Sequence, residues 1–183
     1  MRFLSGRKSL FAAASALVLV VASPAARAEL KVGDPAPPFS LPGSDGKTYS
    51  LDQFKGKSAV VVAWFPKAFT GGCTKECKAM REQGKAIREY NVAYFTASTD
   101  KPEMNKDFAK SLELDYPILS DPDETVAKAY GVVHEGQPRP KRWTFYIGQD
   151  GLIKAIDKDV QKHTETAGKD IAAKLKELGI PAK

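Results

Sequence analysis

The sequence predicts an α/β domain, a mixed central β-sheet flanked by helices and preceded by an N-terminal extension. Three observations predict it. Ser58 to Phe65 (SAVVVAWF) is a continuous apolar, β-branched run bounded by Gly56 and Pro66, the pattern of a strand buried on both faces. Strand-like and helix-like segments then alternate as far as Ala129, as they do when helices cover a sheet. Near the C-terminus two apolar segments flank Gly148-Gln149-Asp150-Gly151, a hairpin signal that makes the sheet mixed.

The N-terminal segment belongs to a different category. Arg2, Arg7 and Lys8 precede a mostly apolar stretch from Leu10 to Ala22, followed by Pro24 and Ala26-Arg27-Ala28. A basic start, a short apolar centre and an A-x-A site predict a secretory signal peptide over residues 1–28. The apolar stretch is short for a membrane span, so no stable membrane association is expected after cleavage. The remaining 155 residues, Glu29 to Lys183, suit one domain. The signal takes four cations with it, leaving 24 basic against 22 acidic residues, so the formal charge falls from +6 to +2. No Lys/Arg run marks a nucleic-acid site. The expected location is outside the cytoplasm, periplasmic or secreted.

In the mature chain, Gly33 to Pro38 reads as a stiff lead-in, and Leu41 to Lys47 as a turn between two short strands. After the buried strand and a cysteine loop, Cys73, Cys77, Met80, Gly84 and Ile87 recur at helical spacing. Asn91 to Ser98 is a second strand. Lys101-Pro102-Glu103 opens a helix through about Leu112, Tyr116 to Leu119 is a short strand and Asp121 to Ala129 a short helix. A Pro-rich loop precedes the hairpin strands Trp143–Ile147 and Leu152–Ile156. Ala167, Ile171, Leu175 and Leu178 stripe a last helix that Gly179 and Pro181 end. This order resembles that of a thioredoxin-like fold with an N-terminal extension, and it places the cysteine loop at the carboxyl end of the first buried strand, where open α/β sheets bind ligands.

Both cysteines of the chain lie in FPKAFTGGCTKEC, Phe65 to Cys77. Two thiols are too few for a disulfide framework, and closing so small a loop gains little entropy, so the pair reads as chemical rather than structural. A thiol in a first helical turn meets unpaired amides and the positive end of the dipole, which favour the nucleophilic thiolate. Gly71 and Gly72 permit close approach of a ligand, and the Thr70 hydroxyl can donate or accept. Cys77 lies one turn on, with Cα atoms ~6 Å apart, so a disulfide would need local unwinding. Two other readings stay open at this level: Cys77 as a buried small apolar residue, or C-x3-C as part of a copper site with His134 or His163.

Pro66-x-x-x-Thr70-x-x-Cys73 matches the P-x3-T-x2-C motif of the peroxiredoxins (AhpC/TSA type), and FPKAFTGGCTKEC is similar to their Q-type, or bacterioferritin-comigratory-protein, branch. The likeness runs from Val32 to about Leu178. It includes Lys31 to Pro37, Lys47 to Lys57, Ser98-Thr99-Asp100, Leu119-Ser120-Asp121, Tyr130-Gly131-Val132 and Arg142-Trp143-Thr144-Phe145. The resemblance implies a thiol-dependent peroxidase acting on hydrogen peroxide and organic hydroperoxides. Cys73 would be its peroxidatic cysteine and Cys77 its resolving cysteine. Thr70 would bond sulfur and peroxide, Pro66 would shield the thiolate, and Arg142 would stabilise it. The partners implied are a peroxide and a thioredoxin-like or small-thiol reductant, in a monomer or homodimer. No metal, flavin or haem is implied.

The chain departs from the family pattern twice. Cys77 follows Cys73 by four residues, whereas the branch usually places its resolving cysteine at five, and Gly71-Gly72 replaces the usual Pro-Gly. Two alternatives share the fold. A thiol-disulfide oxidoreductase would carry C-x2-C and Pro in place of Trp143. A Sco-like copper protein would carry His before the first cysteine and Pro after each, where this chain has Gly72, Thr74 and Lys78.

Overall fold

The computed structural model describes residues 29–134 and 136–183, so the expected signal segment lies outside the described residues. The lead-in runs into two short strands, β1 (Ser40–Pro42) and β2 (Thr48–Ser50), paired antiparallel across the Gly43–Lys47 turn. The apolar run forms β3 (Ala59–Trp64), buried along its whole length. Its alternation serves two cores at once. Val60, Val62 and Trp64 face one side, where Phe39, Ala127 and Tyr130 cover them; Ala59, Val61 and Ala63 face the other, against Met80, Ile87, Ile171 and Leu175.

The helical stripe is divided between α1 (Gly71–Glu82) and α2 (Gly84–Arg88). The break falls at Gln83, whose amide side chain turns to bond Glu165 and Lys169 rather than continuing the helix surface. Next come β4 (Val92–Ser98), α3 (Pro102–Ser111), β5 (Ile118–Ser120) and α4 (Thr125–Ala129). Residues read as a Pro-rich loop form a second hairpin, β6 (Val133–His134) with β7 (Gln137–Pro140). The chain closes with β8 (Thr144–Ile147), β9 (Ile153–Asp157) and α5 (Ala167–Glu177).

The main sheet has the order β5-β4-β3-β8-β9. β3, β4 and β5 are parallel, while β8 runs antiparallel to β3 and β9 antiparallel to β8. α1, α2 and α5 pack on one face; α5 approaches so closely that a Cβ on Gly168 would stand 2.9 Å from the Ala79 carbonyl. α4 and the N-terminal extension cover the other face. The mixed thioredoxin-like sheet expected from the sequence is therefore present. Its register also brings two distant segments together. Because Ala63 pairs with Thr144, the carboxyl end of β3 and the residues entering β8 meet at one edge.

Candidate active site

β3 ends because Pro66 has no N–H to continue the ladder. The loop that follows is held from beneath: the Ala68 amide donates to Asp100 Oδ2 at 2.8 Å, and the Ser98 hydroxyl donates to the same oxygen at 3.0 Å. The Ser98-Thr99-Asp100 motif is thus a clamp on the cysteine loop. Phe69 sits at φ 60°, a left-handed conformation that is strained for a bulky side chain, and packs on Phe108 with ring centroids 5.0 Å apart.

Thr70 is the N-cap of α1, so the helix begins at Gly71 and Cys73 is its third residue rather than its first. The Thr70 hydroxyl donates to the Lys67 carbonyl at 2.9 Å and makes no side-chain cap. The first amides of α1 are therefore not capped by that side chain, and Cys73 stands in the same first turn, at the positive end of the helix dipole.

Arg142 completes the site from the other segment. Its Nη2 donates to Cys73 Sγ at 3.2 Å, its Nη1 pairs with Glu76 Oε2, and its Nε donates to Gln161 Oε1 at 2.8 Å. Three directions of the fork are thus occupied, which fixes the guanidinium plane. Gly72 makes room for it: a Cβ there would stand 3.2 Å from Nη2, while at Gly71 it would meet open space. Of the two glycines in the loop, Gly72 is the one that the packing uses.

Glu76 is buried, and its Oε1 is unpartnered. Burial pushes its carboxyl up to about 7, against the opposing pull of the Arg142 charge. Cys77 lies one turn deeper than Cys73; both thiols are free and 0% exposed. Burial pushes the Cys77 thiol up, and the neighbouring Glu76 charge pushes it further. The Tyr116 hydroxyl donates to the Cys77 carbonyl at 3.0 Å, adding an anchor to this part of α1.

Of the residues singled out in the sequence, Cys73 and Arg142 are in direct contact. Pro66 and Thr70 bracket the loop, and Cys77 shares the buried face of α1. Glu76 and Gln161 were not singled out. Glu76 carried a weak signal, lying three residues from Cys73 on the same helix face, and Gln161 carried none. Among the described residues no group of three or more His, Cys, Asp or Glu side chains is arranged to hold a metal ion.

The AhpC/TSA family model matches residues 32–156. Peroxiredoxin Bcp of Escherichia coli K12 is 38% identical over 136 residues, covering 71% of this chain and 86% of that protein. The chloroplastic peroxiredoxin Q of Populus jackii is 35% identical over 130 residues, 70% of this chain and 61% of that protein. The crystal structure of peroxidoxin BcpB from Mycobacterium tuberculosis superposes with a TM-score of 0.73 at 31% identity, covering 81% of this chain and 98% of that one. The chain belongs to the AhpC/TSA family and is a peroxiredoxin, a peroxidase of the oxidoreductase class.

Proposed function

We propose that the protein reduces hydrogen peroxide and alkyl hydroperoxides through Cys73. The observation that carries this reading is the 3.2 Å contact between Arg142 Nη2 and Cys73 Sγ at the N-terminus of α1. The thiolate attacks the terminal oxygen of the hydroperoxide; an S–O bond forms as the O–O bond breaks. The departing oxygen takes a proton and leaves as water or alcohol, and Cys73 becomes a sulfenic acid. A guanidinium that keeps its charge favours the thiolate beforehand and offers N–H donors to the charge that moves onto oxygen. Thr70 has lone pairs free to accept from the peroxide while its proton is held by Lys67. Pro66 places an apolar ring at the loop entrance.

Cys77 is the candidate for the resolving step, one residue nearer to Cys73 than the branch usually places that cysteine. In the intact helix its thiol lies a full turn from Cys73, so a disulfide requires the first turn of α1 to unwind. The strained Phe69 just before the N-cap supports such opening. Export is part of this proposal: the basic start, apolar stretch and A-R-A site support removal of residues 1–28.

One equivalent of hydrogen peroxide followed by intact and non-reducing peptide mass spectrometry tests the reading. Sulfenic acid at Cys73, or a 2 Da loss linking Cys73 to Cys77, agrees with it. Thiols inert to stoichiometric peroxide would sink it.

A further inference from the structure

The contacts that hold α1 change direction at Cys77. Ahead of it they run to the C-terminal segments: Cys73 and Glu76 meet Arg142, and Lys75 meets Glu165. At Cys77 and Arg81 they run instead to the connection between α3 and β5. The Tyr116 hydroxyl donates to the Cys77 carbonyl at 3.0 Å, and Arg81 Nη1 donates to the Leu112 carbonyl at 2.7 Å. Tyr116 is itself buried, its ring 5.2 Å from that of Tyr94. A helical carbonyl already accepts from the amide four residues on, here Arg81, so the tyrosine takes the second lone pair. Its bond is therefore an added tether on the helix rather than a repair of it.

Oxidation acts on the two sets of contacts unequally. Conversion of the Cys73 thiolate to a sulfenic acid removes the charge that Arg142 meets. The Lys75–Glu165 pair is solvent-exposed, where an ion pair holds little. Neither the Tyr116 bond nor the Arg81 bond involves the Cys73 sulfur.

Resting on the peroxidase reading, with Cys77 as its resolving thiol, we infer that Tyr116 is a positioning residue for the disulfide step. It fixes Cys77 as a stationary target, so that α1 unwinds only ahead of Cys77 and Cys73 travels to it. The spacing of the thiols fits this division. At ~100° per residue, four residues carry Cys77 ~40° around the axis from Cys73, whereas five would carry it ~140°. Opening the front of the helix is then enough, and the rear stays wound. Opening also admits water to the Cys77 thiol and relieves the burial that holds its proton. The Cys77 thiolate attacks the sulfenic sulfur; an S–S bond forms, the S–O bond breaks, and hydroxide leaves and takes a proton to become water.

Hydrogen exchange read by mass spectrometry tests where the unwinding stops. The protein is compared before and after oxidation by one equivalent of hydrogen peroxide. In the disulfide form the amides of Thr74 to Met80, whose helical acceptors lie ahead of Cys77, should lose protection. Arg81, bonded to the Cys77 carbonyl, and the amides after it should keep theirs. In Tyr116→Phe, which retains the ring, the loss should extend through Arg81 to Gln83. Conversion of sulfenic acid to disulfide should slow by about two- to tenfold, the scale of one hydrogen bond. Tyr94→Phe removes a hydroxyl from the same aromatic pair without touching α1 and should leave both readouts as in wild type.

Loss of protection through Gln83 in the oxidised wild type overturns the inference, and this measurement needs no variant. Disulfide formation in Tyr116→Phe that is as fast as wild type, or faster, overturns it too, as does equal slowing in Tyr94→Phe. A Cys73 sulfenic acid that never joins Cys77 overturns it while leaving the peroxidase reading in place. Absence of any Cys73 oxidation strikes the peroxidase reading itself, and this inference with it.

Discussion

Arg142 Nη2 and Cys73 Sγ stand 3.2 Å apart although 69 residues separate them in the chain. The antiparallel pairing of β3 with β8 creates that proximity, since the end of one strand and the start of the other share an edge. Gly72 removes the Cβ that would crowd the guanidinium, and Glu76 and Gln161 hold it in plane. The proposed peroxide chemistry rests on this contact.

Removing either thiol should give different outcomes. Cys73→Ser is expected to abolish peroxide turnover, whereas Cys77→Ser should leave the first oxidation at its wild-type rate. Stopped-flow peroxide consumption with single-turnover mass spectrometry checks both. Equal consumption by wild type and Cys73→Ser would contradict the assignment.

Arg142→Met should slow the peroxide step by about 10²–10³-fold, the usual loss for one donor to a developing oxyanion. Arg142→Lys keeps a charge but loses the fork that meets Cys73, Glu76 and Gln161 together, so it should recover only part of that loss.

Glu76 predicts a stability profile that falls with pH. Its carboxyl is near 4.5 when unfolded and is raised to about 7 in the fold, chiefly by burial. Between those values the native state binds more protons than the unfolded state, so stability is full below about 4.5 and declines as pH rises through about 7, by up to ~3 kcal/mol. Glu76→Gln should remove that slope. Urea midpoints across the acid-to-neutral range measure it, and parallel profiles for the two proteins would contradict the prediction.

Asp100→Ala should loosen the cysteine loop without touching the sulfur. It removes the acceptor of the Ala68 amide, at a cost of about 1–3 kcal/mol for the donor left unpaired, while the Ser98 hydroxyl keeps Asn105 Oδ1 as an acceptor. Peroxide turnover should fall while Cys73 alkylation in the unfolded protein stays unchanged. Asp100→Asn, which keeps one carbonyl oxygen, should be milder.

The sequence by itself determined the sheet and singled out Cys73 as the proposed nucleophile. A strand buried on both faces needs an unbroken apolar run, and Ser58 to Phe65 supplies one. A loop built to present a thiol at a helix start shows its residues in order, so Pro66, Thr70 and Cys73 were legible from local spacing. Arg142 was legible only through a family resemblance, because no local pattern says which of many arginines a fold will turn inward. Glu76 was hidden for a related reason: a glutamate on a helix reads as solvated until a cation is seen facing it. Gln161 gave no signal at all, since one hydrogen bond from an exposed turn leaves no periodicity. The β6–β7 hairpin was also read as loop, because Pro138 and Pro140 argue against a central strand, whereas a two-stranded edge tolerates them. What the tertiary structure alone decided is how the cysteines differ. Cys73 meets a cation brought to it by strand pairing, and Cys77 sits one turn away, buried with its thiol pushed up. Local spacing fixes which face of a helix a thiol occupies, but the charge and burial it meets there depend on segments that only the folded chain brings near.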